Sequence, residues 1–164
     1  MRILSMDQSS TKSGYCIFEN EKYAFSGLVD KSKNKDTDAR VIEMGLALCN
    51  KISEFNPDKI IIENVQQQSG VSTVILLARL QGFILGFASA HNIPVEILGP
   101  SKWRSALGYK QGAGVKRKEL KQQSLDYVKR MGLSIKSEDE CEAVCINQAA
   151  HKIFNFSEDD FWGK

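Results

Sequence analysis

The chain is short of the residues that build most metal and secreted-protein chemistry. It has four cysteines and two histidines in 164 residues. Cys16, Cys49, Cys141 and Cys145 show neither zinc-ligand nor secreted-scaffold spacing, which excludes a zinc site and a disulfide framework. Cys141 and Cys145, one helical turn apart, suit small core residues instead. His91 and His151 each close a helical pattern, where a cation complements the helix dipole, so neither is expected to be catalytic. No basic-then-apolar leader opens the chain, and Asp7 interrupts the first apolar run. The longest apolar stretch, Val74 to Ala90, carries Arg79 and Gln81, so no membrane span is expected. Net charge is only +2, so any footprint for a polyanion must come from local segregation of charge. A reducing cytoplasm is the expected setting.

What is present is segregated charge. Lys102 to Arg130 holds nine Lys and Arg against Glu119 and Asp126, while residues 138 to 142 supply three Glu and one Asp. Four acids stand out by position. Asp7 closes Arg2-Ile3-Leu4-Ser5-Met6, and Glu63 closes Lys59-Ile60-Ile61-Ile62. Asp139 and Glu142, three apart, open the last helical pattern and share one helix face. A carboxylate at the mouth of a buried strand is costly to desolvate unless paired. Several together repel one another, so a divalent cation is their natural partner. Oxygen ligands without His or Cys fit Mg²⁺, with Mn²⁺ as a substitute, better than zinc. A metal beside a basic stretch points to phosphodiester chemistry on nucleic acid.

Length and a hydrophobic fraction of 42% indicate one domain spanning 1–164 with a real core. Strands are expected over Arg2 to Asp7, Gly14 to Phe18, Lys22 to Val29, Ile60 to Ile62 and Pro94 to Leu98. Ile60 to Ile62 is an unbroken β-branched run, the mark of a strand covered on both faces. Val41, Met44, Leu48, Ile52 and Phe55 repeat at helical spacing until Asn56-Pro57. Further helices are expected over Val71 to His91, Ser101 to Leu107, Lys116 to Met131, and from Glu138 to just before Phe154, with Ser137 as a cap. A flexible loop, Gly108 to Val115, precedes the basic helix. The order is that of a mixed α/β domain in which strands 1 and 4 are neighbours and deliver Asp7 and Glu63 to the same sheet edge, where ligands bind.

Three segments carry a family resemblance: Ile3-Leu4-Ser5-Met6-Asp7-Gln8-Ser9-Ser10-Thr11-Lys12-Ser13-Gly14-Tyr15, then Ile60-Ile61-Ile62-Glu63-Asn64-Val65, then Asp139-Glu140-Cys141-Glu142-Ala143-Val144. Together, and with Gly99-Pro100-Ser101 after the fifth strand, they resemble the RuvC family of Holliday-junction resolvases. The resemblance implies a ribonuclease H-like fold, with a central five-stranded mixed sheet flanked by helices. It also implies a homodimeric Mg²⁺-dependent endonuclease that nicks opposed strands of a four-way junction and leaves ligatable 5′-phosphates. Asp7 matches the family's first acid, Glu63 the second, and Asp139 with Glu142 the final pair. Glu142 stands where Asp is commoner in the family. Cellular members place an aromatic shortly after the second acid; here Gln66, Gln67 and Gln68 fill that loop, a pattern more like the phage-borne branch. Such a protein would work in the host cytoplasm and on other branched DNAs too. Whether a branch-migration motor joins it is not written in the chain.

The expected chemistry uses two cations about 3.5–4 Å apart to activate water and stabilise the departing 3′-oxygen. Asp7 would bridge both, Glu63 would hold one, and Asp139 with Glu142 the other. Lys116, Arg117, Lys118 and Lys121, with Lys102, Lys110 and the glutamine loop, would contact the nucleic acid. The helix from Val71 to His91 is apolar round more of its circumference than one core stripe requires. It is the expected dimer seam, through Ile75, Ala78, Arg79, Gly82, Phe83 and Gly86. Three rivals remain. The stretch Asp7 to Thr11 is also similar to the first phosphate loop of actin-like ATPases, but these need a second domain. A ribonuclease H-like RNA-processing nuclease and a non-cutting DNA-branch binder are the others; the intact acid set argues against the last.

Overall fold

In the structure, a computed structural model that describes residues 1–66, 70–154 and 156, one five-stranded sheet organises the chain. Its strands are β1 (Arg2–Asp7), β2 (Lys12–Glu19), β3 (Lys22–Asp30), β4 (Lys59–Glu63) and β5 (Val95–Leu98). The spatial order is β3-β2-β1-β4-β5. β1 pairs antiparallel with β2 and parallel with β4, so the sheet is mixed, and β1 lies at its centre. The β2–β3 hairpin turns through Asn20 and Glu21, both at positive φ, the geometry whose twist matches its flanking strands. β2 starts two residues earlier than its apolar pattern suggests, because Lys12 pairs with Asp30 across the ladder.

Side chains alternate across the sheet and feed two cores. Ile60 and Ile62 face α1 (Thr37–Phe55) and α2 (Val71–Ala90), together with Leu4, Met6 and Ile17. Ile61, Ile3, Cys16 and Phe18 face the other layer, built from α3 (Pro100–Ala106), α4 (Arg117–Arg130) and α5 (Glu138–Phe154). All three isoleucines of β4 are fully buried, as a strand covered on both faces requires. The side chain of Asp36 caps α1 by accepting from the Ala39 N–H at 2.9 Å, and Asn56 ends the helix in the left-handed region. Pro100 begins α3, a position where its missing N–H costs nothing.

α5 crosses the centre of the sheet and is bolted to it. The Asn147 amide donates to the Ile3 carbonyl at 3.1 Å and to Ser5 Oγ at 3.1 Å, and Ser5 Oγ donates to the Ala143 carbonyl at 2.7 Å. All four cysteines are free and buried. Two expectations change. α5 runs through Phe154 instead of stopping before it, because Phe154 and Phe156 continue the packing against α5 and its neighbours. His151 is not a solvated cation at a helix end: it lies against Phe18 and Phe156, and burial lowers its pKa, favouring the neutral ring.

α2 differs from the other helices. Only Leu80, Ile84 and Ala88 are buried, against α1 and the sheet, while Val71, Ile75 and Leu85 are exposed. By length and composition α2 would pass for a membrane span. Arg79 and Gln81 are used by the fold instead: Arg79 pairs with Asp38 of α1, and Gln81 donates to the Glu63 carbonyl at 2.8 Å. Of the residues expected at a seam, Phe83 is half-buried over Gly45 of α1, while Ile75, Ala78, Gly82 and Gly86 remain exposed.

Candidate active site

The parallel register of β1 and β4, Met6 opposite Ile62, brings Asp7 and Glu63 to the same carboxyl edge of the sheet. α5 begins above that edge. Ser137 holds its first turn by accepting from the Glu140 N–H at 3.3 Å, and Glu140 in turn accepts from Ser26 of β3 at 2.6 Å. Asp139 and Glu142, one turn apart, then point down beside Asp7. Carboxylate oxygens of Asp7, Asp139 and Glu142 lie within 4.8 Å of one another. The acids open into a cleft of about 820 Å³ between the end of β1, the N-terminal half of α2 and α4.

Glu63 stands apart from that trio, turned towards α3. Its Oε1 accepts the Trp103 indole N–H at 2.7 Å, and an Arg104 guanidinium nitrogen lies 3.7 Å from the same oxygen. Its main-chain carbonyl accepts from the side-chain amides of Gln8 and Gln81. Arg104 reaches across to Glu142 at 3.6 Å, and Lys121 binds Asp139 and Glu138, each at 3.0 Å.

Three nearby cations, Arg104, Arg117 and Lys121, do not neutralise the four crowded acids. The Asp7 carboxyl sits well above the ordinary carboxylate range, first from burial, then from the negative charges of Glu142, Glu63 and Asp139. Burial is also the largest cause raising Glu63 and Glu142, against the opposing pull of the Trp103 bond and Arg104 on Glu63, and of Lys121 and Arg104 on Glu142. Lys121 is lowered by burial but raised more by Asp139 and Glu138, so it stays charged. The residues therefore fit a divalent cation: hard oxygen donors, gathered close, with unbalanced negative charge.

All four expected acids meet at this cleft. Of the expected nucleic-acid contacts, Gln66, Arg117 and Lys121 line it. Lys116 caps α4, its N–H donating to Glu119 at 2.7 Å, and Lys118 lies exposed on that helix outside the cleft lining. Lys102 extends over the Phe154 ring, and Lys110 is exposed beyond the cleft. Gln67 and Gln68 lie outside the described residues. Sequence reasoning missed Trp103, Arg104, Gln8 and Gln81. Arg104 was visible only as one more charge in a basic stretch, and the 40 residues separating Trp103 from Glu63 hide their contact.

Comparison with known proteins identifies the family and the fold. The family described as "Crossover junction endodeoxyribonuclease RuvC" matches residues 3–149. A crossover junction endodeoxyribonuclease RuvC of Paenarthrobacter aurescens is 25% identical over 151 residues, covering 89% of this chain and 78% of the relative. One from Bifidobacterium longum is 30% identical over 112 residues, 65% of this chain and 58% of the relative. Among solved structures, Thermus thermophilus RuvC in complex with a Holliday junction substrate superimposes with a TM-score of 0.72 at 15% identity, covering 94% of this chain and 96% of that one. The yeast mitochondrial Holliday junction resolvase gives 0.58 at 15% identity, over 92% and 78% of the two chains. At such identities the structural likeness speaks for the fold, which is the ribonuclease H-like one.

Proposed function

The chain belongs to the RuvC family of crossover junction endodeoxyribonucleases, and we propose that its four-acid cleft resolves four-way DNA junctions by metal-assisted phosphodiester hydrolysis. The observation that carries this reading is the convergence of Asp7, Asp139 and Glu142 within 4.8 Å, with Glu63 on the adjacent strand. Asp7 with Asp139 and Glu142 would hold one Mg²⁺, and Asp7 with Glu63 a second; Mn²⁺ suits the same donors. Bound there, the cations supply an activated water and charge stabilisation for the departing 3′-oxygen, leaving a 5′-phosphate. The chain's own groups do the rest. Arg117 and Lys121 flank the acids on the α4 side and grip the phosphates of the scissile strand. Lys116 and Lys118, just outside the cleft, extend that positive face along the DNA.

A four-way junction presents two opposed strands, so paired cutting calls for two copies of the site related by a two-fold axis. The uncovered apolar face of α2, through Ile75, Ala78, Gly82 and Gly86, is the seam we assign to that dimer; Gly82 and Gly86 have open space where a β-carbon would stand. Gln66 lines the cleft without an aromatic's capacity to stack on bases, which fits a broader range of branched DNAs. Free cysteines agree with action in the reducing cytoplasm, beside DNA.

The decisive assay compares a four-way DNA junction, a flap and an RNA–DNA hybrid, with and without Mg²⁺. The junction is expected to be cut only with the cation. Asp7→Asn is expected to lower cleavage by about a thousandfold or more, the several kcal/mol a lost metal ligand removes from transition-state stabilisation, while the junction is still bound. Preference for the hybrid would favour an RNA nuclease, and binding without cutting a branch-binding protein.

A further inference from the structure

Glu63 is held through its main-chain carbonyl and through one carboxylate oxygen. Its main-chain carbonyl accepts from Gln8 and from Gln81 at 2.8 Å, which fixes the end of β4. Its Oε1 accepts from Trp103 at 2.7 Å and faces Arg104 at 3.7 Å. Among the described residues, Oε2 receives no hydrogen bond or ion pair.

Trp103 is built to hold its bond still. It is fully buried on the short helix α3, and its ring meets Tyr109 edge to face, centroids 5.5 Å apart. Tyr109 is anchored in turn: its hydroxyl lies within hydrogen-bond reach of Ser124 Oγ at 3.2 Å and Cys145 Sγ at 3.1 Å, tying the segment after α3 to α4 and α5. The Arg104 guanidinium lies over the Trp103 indole, 4.8 Å from its centroid. An indole is a neutral donor with no acceptor. It therefore fixes the direction of a carboxylate without neutralising it, as Lys or Arg would.

We propose that Trp103 is a positioning residue for metal binding: its indole N–H clamps Oε1 of Glu63 so that Oε2 is presented to a divalent cation. The assignment rests on the metal-dependent reading of the cleft. Partners that orient a ligating side chain in this way are worth about 10–100-fold in metal affinity.

The test is Trp103→Phe, which keeps a buried ring and removes the donor. Mn²⁺ affinity is measured calorimetrically on the metal-free protein, beside junction binding without cation. Mn²⁺ is expected to bind about 10–100-fold more weakly, with cation-free junction binding unchanged and cleavage recovered at higher Mg²⁺. Unchanged Mn²⁺ affinity would mean the indole bond serves only to satisfy a buried donor, and the assignment falls. A wild-type protein that binds no Mn²⁺ would overturn the metal reading itself. If Trp103→Phe does not fold, Trp162→Phe leaves a single indole, since the chain has two tryptophans. Its N–H resonance is expected to shift on Mg²⁺ titration, and a resonance that stays in place overturns the assignment.

Discussion

Gly14 stands opposite Asp7 in the β1–β2 ladder and directly beneath the main chain of Asp139; a β-carbon on Gly14 would overlap the Asp139 carbonyl. The first turn of α5 can reach the end of β1 only because β2 has no side chain there. Gly14→Ala is therefore expected to push that turn away from Asp7. The overlap costs about 1–3 kcal/mol of stability, and divalent affinity falls because Asp139 no longer meets Asp7. Thermal melts and Mn²⁺ calorimetry check it; an alanine variant that matches wild type in both would mean α5 docks independently of Gly14.

Arg104 holds the metal-free cluster together from the α3 side, between Glu63 at 3.7 Å and Glu142 at 3.6 Å, with only 14% of its side chain exposed. Removing one partner of a mostly buried ion pair leaves its acids uncompensated, at about 3 kcal/mol. Arg104→Gln should thus lower the melting temperature of the cation-free protein. Mg²⁺ should then raise it by more than it does in wild type, since the cation replaces lost positive charge. An equal Mg²⁺-induced rise in both proteins would refute the compensation.

Protons and cations compete for the cluster. Asp7 is raised well above the ordinary carboxylate range by burial and by its acidic neighbours, and Glu63 and Glu142 are raised in the same direction. A native carboxyl with a raised pKa binds a proton that the unfolded chain has released. Its ionisation therefore costs stability, and the cost is relieved as pH falls from above the native value towards the unfolded one. The cation-free protein is expected to gain stability over that window, and Mg²⁺ to erase the gain. Mg²⁺ binding near neutral pH should release protons, seen as a dependence of the apparent binding enthalpy on the buffer's ionisation enthalpy. Buffer-independent enthalpies would show that the acids are already ionised.

On α2, Ile75 is 47% exposed and Leu85 37%. Ile75→Glu places a charge in the centre of the assigned seam and is expected to weaken association by about 2–4 kcal/mol. Light scattering should then find the mass falling to one chain of 18.3 kDa. Paired cuts on a junction should become single nicks. A variant that keeps the wild-type mass puts the dimer on another face.

The acids were legible in the sequence because their local settings announce them. Asp7 and Glu63 end apolar runs on parallel strands, so strand polarity carries those two to one edge, and Asp139 and Glu142 share a face at a helix start. The sheet and the five helices follow from period-2 and period-3.6 patterning in the same way. Boundaries moved where a partner decided them: Lys12 joins β2 because Asp30 is across from it, and α5 continues to Phe154 because Phe156 packs alongside. His151 showed the limit of reading a helix end by its dipole, since two aromatic rings from elsewhere exclude the water its charge would need.

The sequence by itself determined which acids would meet, because backbone hydrogen bonding and side-chain periodicity are local rules that every residue obeys. Tertiary structure alone decided what surrounds them. It brought Trp103 and Arg104 to Glu63, Lys121 to Asp139, and Gly14 beneath α5. Those contacts depend on how two packed layers close over the sheet. No period in the chain encodes them, and burial, not composition, sets the energy of each charge they touch.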